Sequence, residues 1–446
     1  MKLTGTLRYN ENGILEIGEC CVTDLVQKHG TPLYIIDEKT VRNKCRAYHN
    51  ALKENYPHYK ILYASKAFCC MGICRLMEQE GLGLDVVSGG ELYTALAANF
   101  NPRNIYFHGN NKSREELSQA LEARVGAIVI DNLWELDLLV ELIAASDDLV
   151  DVMLRITPGV EAHTHHYIQT GQEDSKFGIS LEDGVALHAA KRILDEKNLN
   201  LKGIHCHIGS QIFNLEAYRV AAKRMLEFMA EVKNETGLLL KELNMGGGLG
   251  ICYTEEDPCV TIENYIGKLC DSVKTYCEEF NLPLPTLLIE PGRSLVGDTG
   301  IAVYRVGAIK EIPGIRTYAS VDGGMSDNPR PALYGAEYEA ILVENNLAES
   351  NMEYTIAGKC CESGDVLINN ITLPKLKSGE LIAILSSGAY HYAMANNYNK
   401  IPRPTVISAA DGQEHTIIRR ETYNDLIKYD KIPTGWTKNK DKIAAV

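Results

Sequence analysis

Four short segments carry residue types that do chemistry. Lys66 follows the run ILYAS, His207 opens HIGS through Ser210, Gly246, Gly247 and Gly248 form a triple glycine, and Glu290 opens EPGR through Gly292 and Arg293. A lysine amine condenses with aldehydes. Bare backbone N–H groups in a glycine run suit phosphate oxygens. A carboxylate and an imidazole serve a ring nitrogen and a ring face. Each residue also has an ordinary alternative. Lys66 can be a solvated strand-end lysine, the glycines a tight turn, His207 a core histidine, and Glu290 with Arg293 a surface ion pair. Spacing alone leads no further than a phosphate-bearing ligand beside a lysine and an acid.

The elements that carry these residues sharpen the reading. Eight short apolar, β-branched runs recur at 61–65, 82–88, 104–109, 127–131, 151–157, 201–209, 242–247 and 286–292. Between them, stretches such as ELYTALAA (91–98) and REELSQALEA (114–123) repeat apolar positions every three to four residues. Continuous apolar strands alternating with amphipathic helices imply a parallel sheet covered by helices. Eight such units imply an α/β fold of the (β/α)8 TIM-type, with an open doubly wound sheet as the competing architecture. After about residue 300 the texture changes to strand-like runs (IAVYRVGAIKEI, RTYASVD, LIAILS, TVISA) broken by Gly, Pro and Asp. This predicts a C-terminal, mostly antiparallel β domain over 301–446, completed by the N-terminal segment 1–35, with the barrel over 36–300.

Composition sets outer bounds. The chain has 446 residues, a formal net charge of −14, 45% apolar and 23% charged residues. These fractions exclude a disordered or collagen-like chain. The acidic balance and the lack of a basic stripe argue against nucleic-acid binding. No run approaches the roughly 20 apolar residues that span a bilayer, and no apolar run follows the first lysine as in a signal peptide. Thirteen cysteines, an odd count with three adjacent pairs, read as free thiols in a cytoplasmic protein.

Barrel enzymes build their chemistry at the C-terminal strand ends, and all four segments fall there. An amine, a phosphate cradle and an acid for a pyridine nitrogen, converging on one mouth, are the requirements of pyridoxal 5'-phosphate. On this reading Lys66 holds the cofactor, the glycine amides its phosphate and Glu290 its ring nitrogen, while His207 stacks on the ring.

The ordered motifs YASKAF, SGGEL, HIGSQ, GGGLG, EPGRS, DNPRPALYGAEY, CCESGD and SSGAYHYAMANNYN run nearly end to end. In this respect the sequence resembles the group IV (fold-type III) pyridoxal-phosphate decarboxylases. The DSKFG segment at 174–178 is similar to the members that convert meso-2,6-diaminopimelate to L-lysine and CO2. The resemblance implies a barrel plus β domain and a homodimer whose active site is shared across the interface. It implies Lys66 as cofactor anchor; Ser210, Gly246–Gly248, Gly292, Arg293 and Tyr390 around the phosphate; and Glu290 at the pyridine nitrogen. Arg293, Arg330, Tyr334 and Tyr390 would meet the substrate, with the far carboxylate gripped by guanidinium forks that match its geometry. Cys361 would protonate the carbon that loses CO2, and Glu362 would accept from the far ammonium, both supplied by the second subunit. Two alternatives stay open: a relative acting on ornithine or arginine, and an inactive homologue that only binds. An alanine-racemase-like enzyme is disfavoured, because that family sets an arginine where Glu290 stands.

The His163–His166 cluster lacks cysteine or acid partners at ligand spacing beyond Glu161, so no metal is expected and a loop is the reading. Asp85 and Glu91 lie near the second strand's end and receive no catalytic role. Gly246–Gly250 lacks the spacing of a dinucleotide fingerprint.

Overall fold

The computed structural model describes residues 3–160, 175–344, 349, 351–434 and 436. The His163–His166 cluster and Asp174 lie outside the described residues.

All eight expected strands form, at Tyr59–Ala64, Gly83–Val86, Ile105–Phe107, Ala127–Ile130, Val150–Thr157, Leu199–His205, Glu242–Asn244 and Thr286–Ile289. Every neighbouring pair is parallel, and the eighth strand pairs with the first, so the sheet closes. The open doubly wound alternative is thereby excluded. Closure follows from the pattern of the chain: strands buried on both faces need helices outside and side chains inside.

Strand alternation sorts these side chains. Ile61, Tyr63, Leu84, Phe107, Ile128, Leu154 and Ile204 belong to the cluster shared with the helices. Leu62, Tyr106, Ala127, Val129, Met153 and Leu288 form a separate cluster inside the barrel. One period of two further along, the same inward face carries Asp85, His108, Asp131, Arg155, His205, Asn244 and Glu290, all buried. A dry apolar layer thus supports a polar layer directly beneath the mouth. At the other end, Glu242 takes Lys60 Nζ at 2.7 Å and the Tyr106 hydroxyl at 2.9 Å, closing the barrel bottom.

The helices begin where their caps dictate. Ser113 and Glu116 form a capping box at the start of helix Arg114–Ala123, and Ser88 caps Gly89–Ala97.

The second sheet is built around Gly300–Ile312, which pairs with Arg316–Val321, Leu381–Ile384 and Leu33–Asp37. Its pairings are antiparallel except those of Arg316–Val321 with Met352–Ala357 and of Thr405–Ala410 with Leu33–Asp37. Leu33–Asp37 is therefore an interior strand, and a boundary at 35/36 falls inside it. Asp37 ends this strand and caps helix Glu38–Asn55, accepting from Thr40 N at 3.0 Å. Leu15, Ile17, Val22, Leu33 and Ile35 pack with Ile301, Val303, Ile407 and Ala409 in one core. Each of the branched aliphatic side chains among these, fully buried, contributes roughly 1.5–3 kcal/mol.

Cys252 and Cys259 are joined as a disulfide, with Cα atoms 6.0 Å apart, and the other eleven cysteines are free. This corrects the expectation of thirteen free thiols: the loop between them folds back within bridging distance. Among the described residues no helix is long and apolar enough to cross a membrane.

Candidate active site

A cavity of about 470 Å³ opens at the C-terminal mouth of the barrel. It is lined by Lys66, His207, Ser210, Arg293, Arg330, Tyr334 and Tyr390, together with Val87, Gly109, Asn110, Arg155, Phe177 and Met394. Seven side chains singled out from the sequence thus meet in one space, the last three brought over from the β domain. The cavity falls within the size range of small-molecule sites.

Lys66 sits in the single 3-10 turn Ser65–Ala67 that follows the first strand. Among the described residues its amine has no hydrogen-bond or ion-pair partner. His207 Nδ1 accepts from Gly247 N at 3.3 Å, which leaves the ring proton on Nε2. Burial, reinforced by the Lys66 charge, holds this imidazole well below its usual range and therefore neutral.

The triple glycine passes where no side chain fits. A Cβ on Gly247 would run into the Glu290 carbonyl, and Gly248, at φ +113°, would meet the Gly209 carbonyl. Gly246 and Gly247 are buried and Gly248 is half-buried; beside the turn lies Ser210, whose Oγ accepts from Arg293 Nε at 3.2 Å and Nη2 at 3.0 Å. Gly292 lies close against Ala64 and Ala67 and does not line the cavity.

Glu290 is buried under the cavity as part of the inward polar layer. Its Oε1 accepts from Asn244 Nδ2 at 2.6 Å and lies 2.9 Å from His108 Nε2; its Oε2 is 3.1 Å from His205 Nε2. Burial drives His205 down to about 3, so its ring is neutral. Its Nδ1 has no partner among the described residues, placing the proton on Nε2, where it is donated to Glu290. Burial alone would raise the Glu290 carboxyl, but His108 and His205 hold it well below the usual range. At the floor the Glu290 carboxylate is thus kept ionised by the groups around it.

The rim is the opposite case. Arg293 and Arg330 are 5% and 8% exposed, yet neither meets a carboxylate among the described residues. Both donate instead to the Tyr253 hydroxyl, Arg330 Nη1 at 2.9 Å. Their guanidinium carbons lie 4.7 and 5.8 Å from the Tyr390 ring centroid. Tyr390 holds φ +62°, a conformation costly for a bulky residue, and its backbone N donates to Ala67 O at 2.8 Å. Two buried cations with neutral partners form a site for an anion.

Cys361 and Glu362 are not in this cavity. They are exposed on the turn 358–365, where Cys361 N donates to Asn399 Oδ1 at 2.7 Å. Cys360 is buried, its N donating to Asp365 Oδ2 at 2.7 Å. Asp85 belongs to the floor, 3.8 Å from His108, and Glu91 holds Val87 N at 2.7 Å on the cavity wall. Burial pushes Glu91 up to about 7.

Sequence reasoning missed His108, His205, Asn244, Arg155 and Phe177. Arg155 lies 3.7 Å from Asp131 and 4.4 Å from the Phe177 ring. His108 and Arg155 lie two places beyond inward Tyr106 and Met153, a hint in strand alternation, whereas His205 and Asn244 follow Gly203 and Glu242 and carry no such hint.

Residues 38–297 match the model of the family described as pyridoxal-dependent decarboxylase, pyridoxal binding domain. The chain belongs to the pyridoxal-dependent decarboxylases. It is 49% identical over 431 residues to a diaminopimelate decarboxylase of Bacillus subtilis, covering 96% of this chain and 98% of that one. It is 47% identical to the diaminopimelate decarboxylase of Staphylococcus aureus, over 95% and 99% of the two chains. A crystal structure of the M. jannaschii diaminopimelate decarboxylase in co-complex with L-lysine superposes with a TM-score of 0.90 at 35% identity, covering 96% of this chain and 98% of that one. For a family of this chemistry the residues present suit the cofactor: an amine without a partner among the described residues, a side-chain-free turn beside a cationic hydroxyl cluster, and a buried carboxylate at the floor.

Proposed function

We propose that this chain is a pyridoxal-phosphate-dependent carboxy-lyase that converts meso-2,6-diaminopimelate to L-lysine and CO2. The observation that carries the substrate is the pair of buried guanidiniums, Arg293 and Arg330, sharing a cavity with Lys66 and lacking a carboxylate partner among the described residues. A far end that carries only an ammonium, as in ornithine, would leave the Arg330 charge uncompensated. A second amino-acid end, with its carboxylate, satisfies them. The names of the relatives support the same substrate.

Lys66 anchors the cofactor through its amine. Ser210 and the Gly246–Gly248 turn receive the phosphate with Arg293 and Tyr390 beside it, and His207 presents a neutral ring to the cofactor's face. When bound, the cofactor supplies an electron sink for the pair left when CO2 departs. Glu290, kept ionised by its donors, holds a proton at the pyridine nitrogen. Arg330, Arg293, Tyr334 and Tyr390 orient the substrate, so that the reacting carboxylate faces away from the rim. Cys361 and Glu362 reach the site of a second copy of the chain; there Cys361 Sγ delivers the proton to the vacated carbon and Glu362 accepts from the far ammonium. The working unit is a homodimer, and the eleven free thiols suit the cytoplasm.

The test is incubation with pyridoxal phosphate and meso-diaminopimelate, ornithine, arginine or lysine in parallel. Lysine and CO2 from the first, with little turnover of the others, is the expected result. Preference for ornithine, arginine or lysine overturns the substrate. Mixing inactive Lys66→Ala and Cys361→Ala chains should restore part of the activity through hybrid dimers; no recovery in proven hybrids refutes the shared site.

A further inference from the structure

Tyr253 is the point where the two rim arginines meet. It lies in the loop after the triple glycine and does not line the active-site cavity; it faces a neighbouring cavity of about 370 Å³. Its hydroxyl oxygen accepts from Arg293 Nη1 and from Arg330 Nη1. Both guanidinium carbons also sit over its ring, at 5.7 and 5.3 Å from the centroid. The ring stands perpendicular to that of buried Tyr338, centroids 5.3 Å apart. Asp257 pins the backbone behind it, accepting from Tyr253 N at 2.7 Å and Thr254 N at 2.9 Å.

Two like charges held together need an acceptor between them. A carboxylate there would neutralise them and close the site to an anion; a phenol supplies lone pairs without charge. A phenolic oxygen offers acceptor capacity and one proton. With two N–H groups already donated to it, its remaining hydrogen-bond capacity is that of a donor. The assembly of Arg293, Arg330 and Tyr253 therefore presents donors only. It fits a carboxylate and repels an ammonium.

We propose that Tyr253 is a positioning residue for substrate selection: it clamps Arg293 and Arg330 side by side so that their free N–H groups converge on the carboxylate at the far end of the substrate. This rests on the reading of the rim as the site for that carboxylate. Asp257 acts one step further out, by fixing the loop that carries the phenol.

L-Lysine and cadaverine (1,5-diaminopentane) differ only by that carboxylate, so their competition against meso-diaminopimelate in the holoenzyme isolates the effect. In Tyr253→Phe, which keeps the ring against Tyr338, the inhibition constant for L-lysine and the KM for meso-diaminopimelate should rise roughly tenfold, the worth of a charge-assisted hydrogen bond. kcat should stay within about twofold, and the cadaverine constant should not move. Asp257→Ala should show the same split in smaller measure with an unchanged melting temperature. Equal weakening of lysine and cadaverine, a fall in kcat without a change in KM, or no change at all overturns the assignment. If the unmutated enzyme holds cadaverine as tightly as L-lysine, the reading of the rim itself has failed, and the role of Tyr253 falls with it.

Discussion

The floor and the rim of the cavity solve opposite electrostatic problems with the same device. At the floor the Glu290 carboxylate is buried between two donors, Asn244 and the Nε2–H of neutral His205, with His108 Nε2 2.9 Å away. At the rim two guanidiniums are buried around neutral hydroxyls, those of Tyr253 and Ser210. At the rim no carboxylate among the described residues neutralises the two guanidiniums. Dipoles hold each charge in place while leaving it available for something that binds, an instance of electrostatic preorganisation. On the proposed reading, charge sign divides the labour: the floor serves the chemical step and the rim serves recognition.

Substitutions can break this division. Lys66→Ala stands between the two regions and should abolish the common step, lowering turnover by roughly four orders of magnitude in steady-state assays. Substantial residual activity would remove the site from this cavity. Glu290→Gln keeps the shape of the floor and removes its charge; kcat should fall by roughly a hundredfold to a thousandfold with KM little changed. Arg330→Met removes one rim charge and should do the reverse, raising KM by roughly 10- to 100-fold while kcat holds within a few fold. Two variants with the same kcat-to-KM pattern would erase the distinction drawn here.

A smaller effect sharpens the floor alone. His205 is neutral in the folded chain down to about pH 3, whereas in the unfolded chain it takes a proton below about 6.5. Between those values the unfolded state binds more protons, so stability falls as the pH drops, by at most about 1.4 kcal/mol per pH unit for this group. His205→Gln keeps an N–H donor and cannot titrate. Urea midpoints measured from pH 7 to pH 4 should therefore decline less steeply in the variant than in the unmutated protein; parallel slopes would mean that His205 is charged in the fold.

The rim and the mouth were largely legible in the chain, because Lys66, His207, Ser210 and Arg293 follow strands, where barrels place chemistry. Arg330, Tyr334 and Tyr390 came through the family motifs. The floor was not, and the reason is geometric. His108, His205 and Asn244 sit at or just beyond strand ends, where a run of mixed residues looks like ordinary strand; only the register of eight strands shows that they share one inward level with Glu290. Tyr253 was hidden for a different reason, since its partners Arg293 and Arg330 are 40 and 77 residues away and meet only when the β domain docks. The Cys252–Cys259 pairing, likewise, needed the path of the loop rather than a count of thiols. The eight-strand rhythm and the second sheet were readable because each strand carries its own pattern; the passage from the second sheet to the barrel carries no mark of its own, because Leu33–Asp37 runs without a break into the helix it precedes.

That junction at Asp37 has a consequence for how the molecule is made. Its carboxylate ties Thr6 and Thr40 together at the point where the interior strand of the second sheet becomes the first helix around the barrel. The neighbours of that strand, residues 300–303 and 405–409, emerge from the ribosome several hundred residues later. The opening segment must therefore wait, its strand edges unpaired, while the middle of the polypeptide curls into a ring, and only the last hundred residues let it settle. Truncations near the C-terminus should thus expose the beginning of the chain to proteases before they disturb the ring itself.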